Sequence, residues 1–190
     1  MYYIYLHDFN SGYIPDSIRV LGLSFLGDIK GITYDTFVSY DEIYKYLTSQ
    51  VSNDRNDITF IGTGLGGFWA AQMGKHFGVP SVSINPCNDP YSMLRGYQDV
   101  IATNYISGVT NVLTSSIIDT YAGKDIQPDD LGFVYLPLLL LDTSDTIVNS
   151  SEAIEDLNKF PLQYFKNTTT IVEHVREYLN HCEYVECLDT

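Results

Sequence analysis

Short apolar runs alternate with stretches of helical spacing along most of this chain. Tyr2–Leu6 is a compact aromatic and apolar run, followed at once by the polar, turn-prone residues His7 to Gly12. It reads as a short buried strand. Residues 16–25 have helical spacing, with Ile18, Leu21 and Leu23 to Phe25 predicted on the apolar side. Ser39-Tyr40-Asp41-Glu42 is a capping box that opens a helix to about Val51, with Ile43, Tyr44 and Leu47 as its stripe. Strands are predicted at 58–61, 82–85, 136–142 and 162–165. The 136–142 run is the most continuous, as expected where helices cover both faces of a sheet. Helices are predicted from Leu65 towards Phe77, after Ser150 or Ser151 (with Ala153, Ile154 and Leu157), and from a second capping box at Thr170-Ile171-Val172-Glu173. Such alternation gives an α/β protein, with a mainly parallel sheet between two helical layers. Residues 95–133, rich in Thr, Ser, Gly, Asn and Asp, break the rhythm. They are expected to form an insertion or lid within a single domain spanning 1–190.

The strand at 58–61 runs into Gly62-Thr63-Gly64-Leu65-Gly66-Gly67 and then a helix. A strand, a tight G-x-S-x-G turn and a helix make the nucleophile elbow of serine hydrolases. Gly62 and Gly66 hold the flanking glycine positions of that motif, but the centre is Gly64, which has no side chain to attack with.

At these residues the chain resembles the YqiA-type esterases of the α/β-hydrolase superfamily. Their opening strand ends in a motif like H-G-F-N-S, and here stands His7-Asp8-Phe9-Asn10-Ser11. Their elbow is similar to Gly62-Thr63-Gly64-Leu65-Gly66-Gly67-Phe68, with serine where Gly64 stands. Their next strand ends in N-P, as at Asn85-Pro86, and a later one leads to T-G-D, as at Thr143-Ser144-Asp145. The resemblance implies an α/β-hydrolase-like three-layer sandwich. It also implies Asp145 as the triad acid and an oxyanion hole made by the Phe9 and Leu65 amides, two donors expected to remain open to an anion or carbonyl. The family's histidine, in G-G-N-H after the final strand, corresponds to the shorter segment from Phe165 to Thr169, with Thr168 at the degenerate position. None of His7, His76, His174 and His181 falls there. An acid alone performs no acyl transfer.

Other residues take structural roles in this reading. Thr63 is a turn residue, not a displaced nucleophile. Cys87, which follows Asn85-Pro86 on the pocket rim, is an inert thiol in the absence of a base. His7, Asn10 and Ser11 complete the rim, with His7 organising the loop. His174 and His181 read as surface residues. Asp119, Asp125, Asp129 and Asp130 lack calcium-loop spacing and read as a solvated acidic loop, so no metal and no cofactor are expected.

Charge narrows the partners. The chain of 190 residues carries 24 acids and 10 bases, a net charge of −14. Residues 1–95 hold 9 acids and 6 bases (net −3) and residues 96–190 hold 15 and 4 (net −11). Such a surface repels nucleic acid and anionic lipid; it serves solubility or, where it has a functional meaning, favours a basic protein partner. The 16 tyrosines suit an interface as well as a core. No apolar run approaches the roughly 20 residues of a membrane span. The N-terminus lacks a basic n-region, and three cysteines without metal-like grouping suit a reducing cytoplasm. The sequence therefore predicts an inactive esterase scaffold reused as a binding or regulatory module. The alternatives are a carboxylesterase or thioesterase with a rebuilt site, and a binder of small molecules in the vestigial pocket.

Overall fold

The computed structural model describes residues 2–51, 57–104, 106–126, 134–142, 160–165 and 167–188. Its elements are β1 (Tyr2–Leu6), α1 (Ile18–Leu23), β2 (Asp28–Ile32), α2 (Tyr40–Ser49), β3 (Ile58–Thr63), α3 (Leu65–Phe77), β4 (Ser81–Ile84), α4 (Pro90–Arg95), β5 (Ile101–Thr103), β6 (Thr110–Val112), α5 (Ser115–Ile118), β7 (Leu138–Asp142), β8 (Leu162–Phe165) and α6 (Thr168–Leu188). A six-stranded sheet has the order β2-β1-β3-β4-β7-β8, and all its pairings are parallel.

The two-residue period of the strands divides the core into two layers. Ile4, Leu6, Ile58, Phe60, Leu139 and Leu141 point towards α2, α3 and α4. Tyr3, Tyr5, Ile61, Val82, Leu138 and Leu140 point towards α1 and α6. Leu138 to Leu141 are all buried, as a strand covered on both faces requires.

Three local readings need correction. The apolar side predicted for residues 16–25 is largely outward, because Val20 and Leu23 are the buried positions of α1 and Ile18, Leu21 and Phe25 are exposed. Asn167, not Thr170, starts the last helix: its side chain accepts the Thr170 amide at 3.1 Å and its carbonyl accepts the Ile171 amide at 3.3 Å. β2 escaped the sequence reading because it is an edge strand with alternating exposure and only Ile32 buried. The Ser39 capping box is present with both of its hydrogen bonds. Within residues 95–133, β5 and β6 pair as an antiparallel hairpin. Asn10 Nδ2 donates to the Thr103 carbonyl and Asn104 Nδ2 to the Ser11 carbonyl, so the hairpin is tied to the loop after β1. Asp145, Asp129, Asp130 and the helix predicted after Ser150 lie outside the described residues.

Candidate functional site: an elbow filled by Asp8

The register of β1 and β3 builds the site. Leu6 pairs with Gly62, so the chain segments leaving the two strands run side by side and bring position 8 to position 64. The elbow turns there in one residue. β3 ends at Thr63, α3 starts at Leu65, and Gly64 between them has φ 56° and ψ −121°. This conformation strongly favours glycine. The flanking glycines are fixed by close approach: a Cβ at Gly62 would lie 1.9 Å from the Gly66 carbonyl oxygen, and one at Gly66 would lie 2.2 Å from that of Leu6. From the other side, the Gly64 amide donates to the Ile84 carbonyl and its carbonyl accepts from the Cys87 amide, both at 3.0 Å. Asn85 (φ 45°) accepts the Asp142 amide at 2.7 Å through Oδ1, linking the end of β4 to the end of β7.

Asp8 sits in the elbow, against Gly64. Its Oδ1 accepts the Phe9 amide at 2.7 Å and the Leu65 amide at 2.8 Å. These are the two donors expected to form an oxyanion hole, and the carboxylate of the chain itself occupies them. The sequence expectation that they stay open to an external anion or carbonyl is therefore corrected. Two charge-assisted hydrogen bonds and the N-terminus of a 13-residue helix all favour a negative group at this point. The same carboxylate fills the room a nucleophile side chain would need: a Cβ built on Gly64 falls 2.1 Å from Asp8 Oδ1 and 2.3 Å from its Cγ.

The other groups around the elbow have structural partners. His7 is buried. Its Nδ1 lies 2.8 Å from the Asp8 carbonyl, which can only accept, and its Nε2 accepts the Tyr34 amide at 3.1 Å. That assigns the neutral tautomer with the proton on Nδ1. Burial lowers the His7 pKa, against smaller upward pulls from Asp8 and Tyr34. The ring stacks on Tyr34 at 4.2 Å. His7 therefore holds the loop and is not placed as a base. Thr63 is buried with its hydroxyl 3.1 Å from that of Tyr5. Cys87 is half-buried, and burial, reinforced by the charges of Asp8 and Asp89, pushes its thiol pKa well up. It remains a thiol near neutrality. His174 contacts the Tyr164 carbonyl, far from the elbow in sequence and in fold. Asn10 and Ser11 anchor the hairpin, as described above. Asp8, which the sequence pattern alone does not single out, is the side chain that fills the elbow.

Two clefts adjoin these loops. One, of about 250 Å³, is lined by Tyr5, His7, Asp8, Ser17, Arg19 and Thr63, among others. The other, of about 520 Å³, runs between residues 33–38 and the β5–β6 hairpin. Its walls include Phe37, Val38, Ile43, Ile106 and Val109, and among the described residues Asp35 and Glu42 are its charged lining.

Comparison with known proteins agrees with this architecture. Residues 2–184 match the model of an uncharacterised protein family, UPF0227. A UPF0227 protein from Yersinia pseudotuberculosis is 32% identical over 164 residues, covering 83% of this chain and 82% of that protein. One from Shewanella woodyi is 25% identical over 163 residues, covering 83% of each. Among solved structures, Est1E from Butyrivibrio proteoclasticus aligns with a TM-score of 0.63 at 11% identity, covering 96% of this chain and 88% of Est1E. Mouse alpha/beta hydrolase domain-containing protein 10 aligns at 0.66 and 12%, covering 95% and 90%. The esterase domain of a Rhodothermus marinus protein aligns at 0.58 and 15%, covering 92% and 84%. Their low identity speaks for the fold alone. With its parallel sheet and strand-turn-helix elbow, this chain has the α/β-hydrolase fold and belongs to the UPF0227 family.

Proposed function

We propose that this chain is a catalytically silent α/β-hydrolase that its own carboxylate has closed, and that it is kept for binding. The observation that carries the reading is Asp8 Oδ1 on both the Phe9 and Leu65 amides, beside a Gly64 that has no room for a Cβ. Acyl transfer needs a nucleophile, a base to take its proton, and donors free to receive the developing oxyanion. Gly64 removes the first. Among the described residues the second has no candidate at the elbow, since His7 is neutral and bonded on both ring nitrogens. The third is occupied by an anion that would repel an incoming oxyanion.

The partner this reading favours is a protein segment carrying apolar and basic side chains. The cleft of about 520 Å³ supports it, with apolar walls and, among the described residues, two acids as its charges. The Ser39 hydroxyl and amide hold Glu42 below its usual pKa, and Glu42 stays ionised near neutrality. The test of silence is direct. The purified chain should neither hydrolyse p-nitrophenyl acetate or butyrate above an inert protein control nor be labelled by a fluorophosphonate. Turnover that is robust in the wild type and lost in Cys87→Ala, Thr63→Val or Asp8→Ala would overturn the reading and identify the group that replaced serine.

A further inference from the structure

The strand order reverses at β1: the chain leaves β1 for β2 on one side and later places β3 on the other. α1, which follows β1, packs Val20 and Leu23 in the layer of α6, whereas α3, which follows β3, packs Phe68 and Trp69 in the opposite layer. The two connections therefore part to opposite faces, and a crevice opens between the carboxyl ends of β1 and β3. Open parallel sheets bind small molecules at such a reversal of strand order. The cleft of about 250 Å³ lined by Tyr5, Asp8, Arg19 and Thr63 lies there.

Its polar groups are not used up by the fold. Tyr5 and Thr63 are 8% and 6% exposed, and their hydroxyls meet at 3.1 Å. That contact takes one of the two hydroxyl protons, and neither oxygen has another partner among the described residues. One buried O–H donor on the cleft wall is thus without an acceptor, a state that costs free energy until something accepts from it. Asp8 commits Oδ1 to the Phe9 and Leu65 amides, and its Oδ2 meets no donor among the described residues. Arg19 is half-buried on the same wall, yet among the described residues it makes no hydrogen bond and no ion pair. A carboxylate and a guanidinium face one small space without pairing with each other.

We propose that this crevice binds a small amino acid as its zwitterion, the ammonium on Asp8 Oδ2 and the carboxylate on Arg19 and the unpaired hydroxyl. Charge and size select the occupant. A simple anion would meet Arg19 but also Asp8, on a molecule whose net charge of −14 opposes its approach. A simple cation would satisfy Asp8 and leave Arg19 beside it without a counter-ion. A zwitterion brings no net charge into that field and presents each end to its opposite. The room is below the roughly 300–1,000 Å³ of pockets that take drug-sized ligands, so the amino acid is a small one. Ile14, also on the cleft wall, gives its carbon atoms an apolar contact.

Binding here needs Asp8 and Arg19 but neither a nucleophile nor a base, so ester turnover, or its absence, decides nothing about it. The test is titration of the isotope-labelled full chain with glycine, L-alanine, L-serine and γ-aminobutyrate to about 20 mM, a range that covers millimolar affinities. The amide signals of Asp8, Arg19 and Thr63 and the Arg19 side-chain Nε–H report occupancy, and acetate and ethylamine serve as probes of one charge each. At least one amino acid should saturate these signals. Acetate and ethylamine should each bind about tenfold more weakly or worse, since each makes one of the two charge contacts. Arg19→Gln removes a side chain without a structural partner, so it should raise the dissociation constant about tenfold or more and leave the thermal midpoint unchanged. Asp8→Asn keeps an acceptor for the two amides and should weaken binding to a similar degree. The absence of any saturable shift with these amino acids would overturn the inference. So would unchanged affinity in Arg19→Gln, or acetate binding as tightly as the best amino acid, which would mark a plain anion site.

Discussion

Gly64→Ser, the change that would appear to restore the enzyme, should be among the most damaging substitutions available, and Asp8 is the reason. A serine Cβ would lie 2.1 to 2.4 Å from all three atoms of the Asp8 carboxyl group, well inside contact distance. The carboxylate must leave, breaking its bonds to the Phe9 and Leu65 amides. Hydrogen bonds to a charged group are each worth about 1.5–3 kcal/mol, and the exposure of Asp8 argues for the low end of that range. The φ of 56° with ψ of −121° adds about 1–3 kcal/mol for a residue with a Cβ. Together these give Gly64→Ser a cost of about 4–6 kcal/mol, a large part of the stability of an ordinary domain. Asp8→Gly alone should cost about 2–3 kcal/mol, mainly from the two amides losing their acceptor. In that background the clash is gone, and Gly64→Ser should then cost only the backbone strain. The two changes should therefore be coupled by about 2–3 kcal/mol in a double-mutant cycle, with the double variant more stable than additivity predicts. Urea unfolding of the four proteins measures this. Additivity within about 0.5 kcal/mol would refute the claim that Asp8 stands in the place of the missing side chain.

Three other expectations follow from the same geometry. Burial lowers the His7 pKa, so the neutral ring contributes stability that is complete above the unfolded value near 6.5 and is lost as pH falls through the depressed folded value; the wild-type thermal midpoint should drop more steeply than that of His7→Gln between pH 7 and 5, and parallel curves would exclude a role for His7. Cys87 should react with a disulfide reagent at pH 8 at least tenfold more slowly than in urea-unfolded protein, because its pKa is pushed well up; equal rates would show an open, activated thiol. An amidated peptide with a Leu-Phe core flanked by arginines should bind the cleft between residues 33–38 and the hairpin and weaken as salt rises from 50 to 300 mM; unchanged affinity on Asp35→Asn/Glu42→Gln would remove the acids from the contact.

The layers of the fold were legible because periodicity reports burial directly. Leu162–Phe165 and the helix from Leu65 to Phe77 coincide with the predicted segments, and the capping box at Ser39 sits where its spacing put it. The failures share a cause: local pattern does not say what an element is packed against. α1 carries two apolar sides, and only the tertiary contact with α6 selects Val20 and Leu23 as the buried one. β2 has too little burial to register as a strand. At Asn167, a cap three residues ahead of the apparent box wins because its side chain reaches the Thr170 amide.

The site shows how two departures from a motif inform each other. Taken by itself, Gly64 is an elbow centre without a side chain. Its meaning changes once the register of β1 and β3 sets Asp8 beside it, at the position where the H-G-F-N-S motif of the esterases this chain resembles carries glycine. A carboxylate at 8 requires an empty position 64, since the two cannot share the same space. An empty position 64 in turn leaves the Leu65 amide, at the positive end of α3, facing a void that an anion stabilises. Each change makes the other tolerable, and once both are present, reversing either one alone costs stability. On the proposed reading, a nucleophile at position 64 is not gained by one substitution while Asp8 stands beside it. That barrier to single-step return is the physical content of calling the elbow closed.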